Sequence, residues 1–378
     1  MTMPSSSENP PPRCWAEIDL DALRHNAALC RRLAGPRCGI MAIVKADAYG
    51  HGLPEAVAAL AGETAWFGVA NLREARRVHA AAGGKAEGIL ILGPAAPEEI
   101  APLVAEGFSG SVSLPEEVEA YAAAAARSGT KARLHAVADT GMGRIGCGPG
   151  AFAALVAKIR NDPHCVLEGI ATHFPSADED ADFTRDQIGR FRSLMEASAP
   201  GPGCHVHLAN SAGLIGFQAE MPFATLARPG LALYGVSPLP EAGVDLRPVL
   251  GLKTRVTLVR ELPAGASISY GRTFTTAGLM RVATLAAGYG DGYPRHLSGS
   301  GASVLIGGKR CPLLGRVTMD QIVVDVSSVD GVARGDEAVL IGRQGKEEIT
   351  AAELAAKAGT IPWEILTGIT SRVERLLN

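Results

Sequence analysis

The apolar run IMAIV ends on Lys45 in the segment IMAIVKADAYGHG, residues 40–52. A lysine there either marks the end of a strand, with its ammonium snorkelling into water, or sits desolvated at the mouth of a barrel as an amine able to attack a carbonyl carbon. Other strand-like runs end on polar residues in the same way: His173 after EGIAT, Asn210 and Ser211 after HVHLA, and Arg228 in TLARPG. Arg228, just ahead of Pro229-Gly230, suits a ring nitrogen or a carboxylate. Ser211 and the backbone N–H groups around Gly230 and Leu231 suit a phosphate. Singly, each reads equally as a surface or capping residue. Chemistry requires that they converge at one end of a shared scaffold.

Two other groups of residues could carry chemistry. The segment ADTGMGRIG has the G-x-G-x-x-G spacing of a dinucleotide loop in Gly141, Gly143 and Gly146, with Glu168 about 20 residues on. Arg144 inside the turn, and CGPG where a helix should already have begun, argue against that use. Downstream, ISYGRTF (268–274), GYGDGYPR (288–295) and GRVTMDQ (315–321) are glycine-rich turns bearing tyrosine and aspartate. They serve as hairpin turns or, if neighbours lower a phenol from its ordinary pKa of about 10, as the seat of a general base.

The elements that must position these residues alternate from about residue 20 to 235. Strand-like runs are CGIMAIV (38–44), WFGVA (66–70), GILILG (88–93), SGSVS (109–113), RLHAVA (133–138), LEGIATHF (167–174), HVHLAN (205–210) and TLARPGLALYG (225–235). Helical patterns lie between them, one with Pro115 in its first turn and one with Thr184 near its start. Eight strand–helix repeats predict an α/β fold with a closed (β/α)8 TIM-like barrel rather than an open doubly wound sheet. After about residue 245 the pattern becomes strands joined by turns, which predicts a mainly antiparallel β domain. Gly307-Gly308 signals a hairpin, and only ITAAELAAKAG reads as a helix, with Thr350 as N-cap ahead of Glu353. The expected organisation is a disordered tail at 1–13, a barrel at 14–245 and a β domain at 246–378.

Composition narrows the function classes. With 378 residues, 47% hydrophobic and 20% charged, the chain can bury a core in each of two domains. A formal charge of −3 offers no field to draw it onto nucleic acid or an anionic membrane. Cysteines at 14, 30, 38, 147, 165, 204 and 311 are scattered, without a C-x-x-C pair or metal-ligand spacing. They predict a reducing, cytoplasmic setting and no metal site. No run approaches the roughly 18 apolar residues of a membrane span, and MTMPSSSENPPPR lacks the features of a signal peptide.

VKADAYGHG, DTGMGR, THF, HLANS, RPG, SYGRTF, GYGDGYPR and GRVTMDQ occur in that order. Together they resemble the alanine racemase family, from WAEIDLDAL at 15–23 to the last turns of the chain, which implies that the first strand of the 14–245 segment packs with the C-terminal domain. The resemblance implies a pyridoxal 5′-phosphate enzyme, a homodimer with shared active sites, that interconverts L- and D-alanine and supplies D-alanine for peptidoglycan. Lys45 would hold the cofactor as a Schiff base and act as base on one substrate face, and Tyr270, from the other subunit, on the opposite face. Two bases are needed because inversion removes a proton from one side and returns one to the other. His173 would hold that tyrosine, while Arg228, supported by His207, would face the pyridine nitrogen. A guanidinium there keeps its own proton, which leaves the ring a poor electron sink. Tyr49, Asn210, Ser211, Gly230 and Leu231 correspond to cofactor contacts, chiefly to the phosphate. Arg144 corresponds to the contact with the cofactor phenolic oxygen and substrate carboxylate, and Met319 to the backbone N–H on that carboxylate. Tyr289, Arg316 and Asp178 correspond to an access corridor.

Two positions depart from the family pattern. Val137 stands where many members carry a lysine that becomes carbamylated, seven residues before Arg144. Arg144 thereby loses a negative partner, and an anion such as chloride, or another acid, is expected in its place. Trp363 replaces a tyrosine that touches the phosphate and lines the entrance, and its indole donates a hydrogen bond but accepts none. These departures leave room for a racemase of broader specificity, acting on serine or larger side chains. A non-catalytic pyridoxal phosphate-binding protein is the remaining alternative, which the tyrosine of SYGRTF disfavours.

Overall fold

The computed structural model describes residues 12–378. Residues 1–11 of the expected tail lie outside the described residues, and Arg13 at its end donates to the Asp320 carbonyl at 2.6 Å. The chain divides into two compact units, Leu20–Arg247 and a second made of the described residues up to Asp19 together with Pro248–Asn378. Strand β1 (Cys14–Ile18) belongs to the second unit.

In the first unit, strands β2 (Gly39–Ile43), β3 (Trp66–Val69), β4 (Gly88–Ile91), β5 (Ser109–Val112), β6 (Ala132–Val137), β7 (Cys165–Ala171), β8 (His205–His207) and β9 (Leu226–Ala227) close a parallel barrel. Helices between them wind around it, as the sequence predicts. The strands are almost continuously buried, the pattern expected when one face fills the barrel and the other meets helices. Glycines make room for large interior groups: a Cβ on Gly88 would overlap the Trp66 indole, and one on Gly169 would overlap the His135 imidazole. The last strand differs from the reading of residues 225–235. It spans two residues, because Pro229 and Gly230 end the ladder, and the chain continues as a 3-10 turn over Leu231–Tyr234.

The second unit continues with β10 (Leu250–Leu262), β11 (Ser267–Ile268), β12 (Phe274–Thr275), β13 (Met280–Leu285), β14 (Ser303–Ile306), β15 (Lys309–Leu314), β16 (Ile322–Asp325), β17 (Glu337–Gln344), β18 (Glu347–Ile349) and β19 (Glu374–Leu377). Its main sheet runs β18-β17-β14-β15-β16-β13-β10-β1-β19, and long β10 also pairs with β17. Gly307 and Gly308, both at positive φ, turn β14 into β15. Thr350 caps helix Ala351–Ala358 by accepting from Glu353 N at 3.0 Å. A second helix, Pro362–Thr367, was not expected from the sequence; Pro362 opens it and Trp363 lies in its first turn.

Candidate active site

Lys45 follows β2 and begins a turn of unusual hand. Ala46, Asp47, Ala48 and Tyr49 all have φ between 53° and 55°, a left-handed conformation that costs an L-residue about 1–2 kcal/mol. Gly50 and Gly52 follow in the segment, but the four strained residues ahead of them all carry side chains. Neighbouring groups hold the turn. Glu74 accepts from Ala46 N and Ala70 N, each at 2.8 Å. Asp47 accepts from Leu53 N at 3.1 Å and pairs with Arg77 at 2.9 Å. Burial first, then the charges of Arg144 and Arg228, lower the Lys45 pKa against the pull of Glu74. A lysine so placed releases its proton more readily than one in water.

Arg228 follows β9 and is 6% exposed. One terminal nitrogen, Nη1, donates to His207 Nδ1 at 2.5 Å and His207 O at 2.7 Å. The other, Nη2, reaches Thr172 O at 2.7 Å, Leu208 O at 3.0 Å and His173 Nδ1 at 3.1 Å. Burial, reinforced by Arg144, brings its pKa down to about 10, which still leaves it charged at neutral pH. Arginine is only a donor, so His173 Nδ1 accepts and its proton lies on Nε2. Burial and the charges of Arg228, Arg144 and Lys45 lower His173 to about 3, so it is neutral. His207 is likewise held well below its ordinary value.

Beside these lies a cradle for an anion. Ser211 Oγ accepts from Gly230 N at 3.0 Å and Ala232 N at 3.1 Å, while the Leu231 N–H between them has no partner among the described residues. A Cβ on Gly230 would lie 2.6 Å from Tyr49 Oη, so only glycine permits this approach. Burial pushes the Tyr49 phenol up to about 12, which keeps it a hydrogen-bond donor. Asn210 serves a structural end, accepting from Gly213 N at 2.9 Å as the cap of helix Ser211–Phe217. Uncharged donors for a phosphate, a buried arginine and a desolvated amine form a donor set that fits pyridoxal 5′-phosphate.

The glycine loop is not a dinucleotide site. Asp139 fills it from within, accepting from Gly141 N and Met142 N at 2.9 Å and from Gly143 N at 3.0 Å. The amides that would face a pyrophosphate are thus taken by a carboxylate. The loop instead presents Arg144, exposed and without a hydrogen bond or ion pair among the described residues. Val137 is buried at the end of β6.

In the second unit, three motifs gather. Ser269, at φ 64°, donates to Arg316 O at 2.6 Å, and a Cβ on Gly271 would lie 3.0 Å from the Arg316 guanidinium. Tyr270 between them is 73% exposed. Tyr289 N donates to Thr318 O at 3.0 Å and Gly290 N to Met319 O at 2.8 Å, which sets the GYGDGYPR turn on the GRVTMDQ loop. Tyr289 and Met319 are exposed and Trp363 is half-buried. Asp178, in the first unit, is exposed. Sequence reasoning missed Glu74 and Asp139. The second is visible in retrospect as an aspartate directly before a run of glycines.

Comparison with known proteins agrees with this arrangement. Residues 18–238 match the family model for the alanine racemase N-terminal domain, and residues 249–377 that for the alanine racemase C-terminal domain. The alanine racemase of Symbiobacterium thermophilum is 45% identical over 368 residues, covering 96% of each chain. That of Methylacidiphilum infernorum is 40% identical, covering 99% of this chain and 95% of its own. Among solved structures, alanine racemase from D-cycloserine-producing Streptomyces lavendulae superposes with a TM-score of 0.89 at 38% identity, covering 98% of both chains. Alanine racemase from Bacillus anthracis with bound L-Ala-P gives 0.88 at 34% identity, covering 98% of this chain and 96% of that one. With matches that run through both units and a lysine, an arginine and an anion cradle sharing the barrel's active end, the chain belongs to the alanine racemase family of isomerases.

Proposed function

We propose that this enzyme interconverts L- and D-alanine with pyridoxal 5′-phosphate, using Lys45 and Tyr270 as bases on opposite faces of the substrate. The observation that carries the reading is the convergence at one end of the barrel of a desolvated lysine, a histidine-locked arginine and an anion cradle made by Ser211, the Leu231 N–H and Tyr49. When bound, the cofactor supplies the electron-withdrawing group that acidifies the substrate's α-carbon. Lys45 would hold the cofactor through Nζ, and its amine, when free, would take or return the α-proton on one face. Tyr270 Oη gives up its proton to the opposite face as Lys45 gains one, and proton exchange with water restores both before the next turnover. His173 leaves its Nε2–H to hold that tyrosine. Arg228 donates hydrogen bonds without surrendering a proton, so a ring nitrogen facing it stays unprotonated. Arg144 and the Met319 N–H bind the substrate carboxylate.

The exposure of Tyr270 in an isolated chain supports a homodimer in which each subunit lends its tyrosine to the other. The relative from Bacillus anthracis, solved with bound L-Ala-P, supports an alanine-sized substrate. No helix among the described residues is long and apolar enough to cross a membrane. We further propose a reducing cytoplasm as the setting, in which the seven free cysteines stay thiols, and D-alanine for peptidoglycan as the purpose of the reaction. A broader substrate range is the second reading, favoured by Arg144, which lacks a partner among the described residues. Relative rates on a panel of L-amino acids separate the two.

The test uses the cofactor-loaded protein and L-alanine in deuterated water. D-alanine deuterated at the α-carbon is expected, and a substrate that neither inverts nor exchanges overturns the proposal. Tyr270→Phe should still exchange the α-proton of one enantiomer without inverting it. Equal loss of exchange from both enantiomers would refute the two-base part.

A further inference from the structure

The hydrogen bonds of Arg228 continue into the barrel. His207 Nε2 lies 2.8 Å from His135 Nδ1, and His135 Nε2 lies 3.2 Å from Glu168 Oε2. Glu168 also accepts from Ser109 Oγ and from Arg133, whose Nε is 2.6 Å from Oε1. These residues come from β5, β6, β7 and β8. His135 is 0%, His207 2% and Glu168 9% exposed, whereas the Arg133 side chain at the far end reaches solvent. A polar row therefore runs from the active-site arginine to the barrel's other side.

The row admits one order of protons. Arg228 only donates, so His207 Nδ1 accepts and its Nε2–H donates to His135 Nδ1. His135 must then carry its proton on Nε2 and give that hydrogen bond to Glu168. Burial works to raise the Glu168 carboxyl, but His135, Arg133 and Ser109 overcome it and hold the group at about 2. Burial lowers His135 against the pull of Glu168, so both imidazoles are neutral. A polar row in a barrel interior is costly compared with aliphatic layers. This one is nevertheless fully partnered, and β7 gives up a side chain at Gly169 to admit the His135 ring. Trp66 packs edge-on against that ring with centroids 5.7 Å apart.

We propose that His135 and Glu168 are positioning residues which act through the tautomer of His207 to hold Arg228. Both Nη nitrogens of Arg228 are then tied to the barrel, and Nε–H, without a partner among the described residues, is left for the ligand. A reversed tautomer would point His207 Nδ1–H at a guanidinium N–H only 2.5 Å away, and the arginine would have to move. The inference rests on the proposed cofactor reading for the identity of the ligand, but the proton order rests on the protein alone.

Long-range proton–nitrogen spectra of the wild-type imidazoles, with and without cofactor, test the proton order directly. Nε2–H forms of His135 and His207 at neutral pH are expected, and an Nδ1–H or doubly protonated form of either overturns the proposal. His135→Phe keeps a ring against Trp66 but removes the acceptor. It should shift the His207 signals and weaken pyridoxal 5′-phosphate binding on the order of tenfold, the effect of one lost buried hydrogen bond. His135→Gln, which accepts from His207 and donates to Glu168, should recover binding to within about threefold. His135→Phe with wild-type His207 signals and affinity overturns the proposal. If His135→Phe does not fold, failure of His135→Gln to keep the wild-type tautomer of His207 overturns it as well. Failure of the wild-type protein to bind the cofactor would remove the proposed function, yet the tautomers would still decide the row.

Discussion

Gly230 lies directly beneath the Tyr49 phenol, close enough that a Cβ would stand 2.6 Å from its oxygen. Tyr49 is 7% exposed and stacks on Tyr234 with centroids 4.9 Å apart, so it has little room to retreat. Gly230→Ala should displace the phenol from the Ser211–Leu231 cradle at an overpacking cost of about 1–3 kcal/mol. The expected outcome is a folded protein whose cofactor dissociation constant, measured by absorbance titration, rises about 10- to 100-fold. Unchanged affinity would remove Tyr49 from the phosphate site.

Glu74 presents a second case of placement at a distance. Its carboxylate bonds Ala46 N and Ala70 N, which ties the left-handed turn after Lys45 to the loop after β3. Glu74→Ala leaves two amides without that partner and frees a strained turn, a cost of about 1–3 kcal/mol per unsatisfied group if water does not reach them. A fall in kcat of at least tenfold is expected, with a smaller change in KM, because the reacting amine is misplaced more than the substrate. Wild-type kcat in Glu74→Ala would show that the turn holds itself.

What was legible in the sequence was mostly local or repetitive. Thr350 with Glu353, the Gly307-Gly308 hairpin and the strand–helix alternation all follow from residues close together in the chain. The left-handed turn was not legible, since Ala46, Asp47 and Ala48 give no local sign of positive φ; the strain is imposed by Glu74, 28 residues downstream. Asn71-Leu-Arg-Glu74 reads as a simple helix cap, and Asn71 does accept from Glu74 N at 3.0 Å, but the Glu74 carboxylate is used elsewhere. His135 and Glu168 sit on separate strands and meet only when the barrel closes. The site motifs were recognisable together because the family resemblance supplied a convergence that spacing alone does not.

Arg144 predicts a dependence on anions. It stands exposed without a partner among the described residues, and the family resemblance implies that Val137 takes the place of a lysine whose carbamate would pair with it. Replacing chloride by a large, weakly bound anion at constant ionic strength should raise the KM for alanine several-fold, with kcat less affected, since the arginine orients the substrate carboxylate. The measurement is a pair of saturation curves. Identical KM values in both salts would mean that a protein acid or the substrate itself suffices.

Trp363 lies in the first turn of helix Pro362–Thr367, where the family resemblance implies a tyrosine, and its indole cannot accept a hydrogen bond as a hydroxyl can. Trp363→Tyr should therefore restore an acceptor and reduce bulk at the entrance. A several-fold change in kcat or in cofactor affinity is expected, checked by steady-state rates and absorbance titration. If both stay at wild-type values, the residue has no part in access or in phosphate binding.

The barrel histidines make stability depend on acid. His173 is held at about 3, and His135 and His207 are also lowered by burial, while an imidazole in the unfolded chain takes up its proton near its ordinary value of about 6.5. From that value down to about 3 the unfolded state holds more protons at His173, so stability falls as pH falls, and the two deeper histidines add in the same sense. Glu168, held at about 2, extends the loss below its ordinary carboxyl value of about 4.5 because the unfolded carboxyl protonates first. Each such proton is worth about 1.4 kcal/mol per pH unit. Calorimetric midpoints should drop steadily between about pH 6.5 and pH 4.5, with net proton uptake on unfolding to which His173, His207 and His135 all contribute. His135→Gln removes one titrating group and should lower that uptake. A midpoint that is flat across this range would mean that the buried imidazoles accept protons without unfolding, which the Arg228–His207 contact forbids.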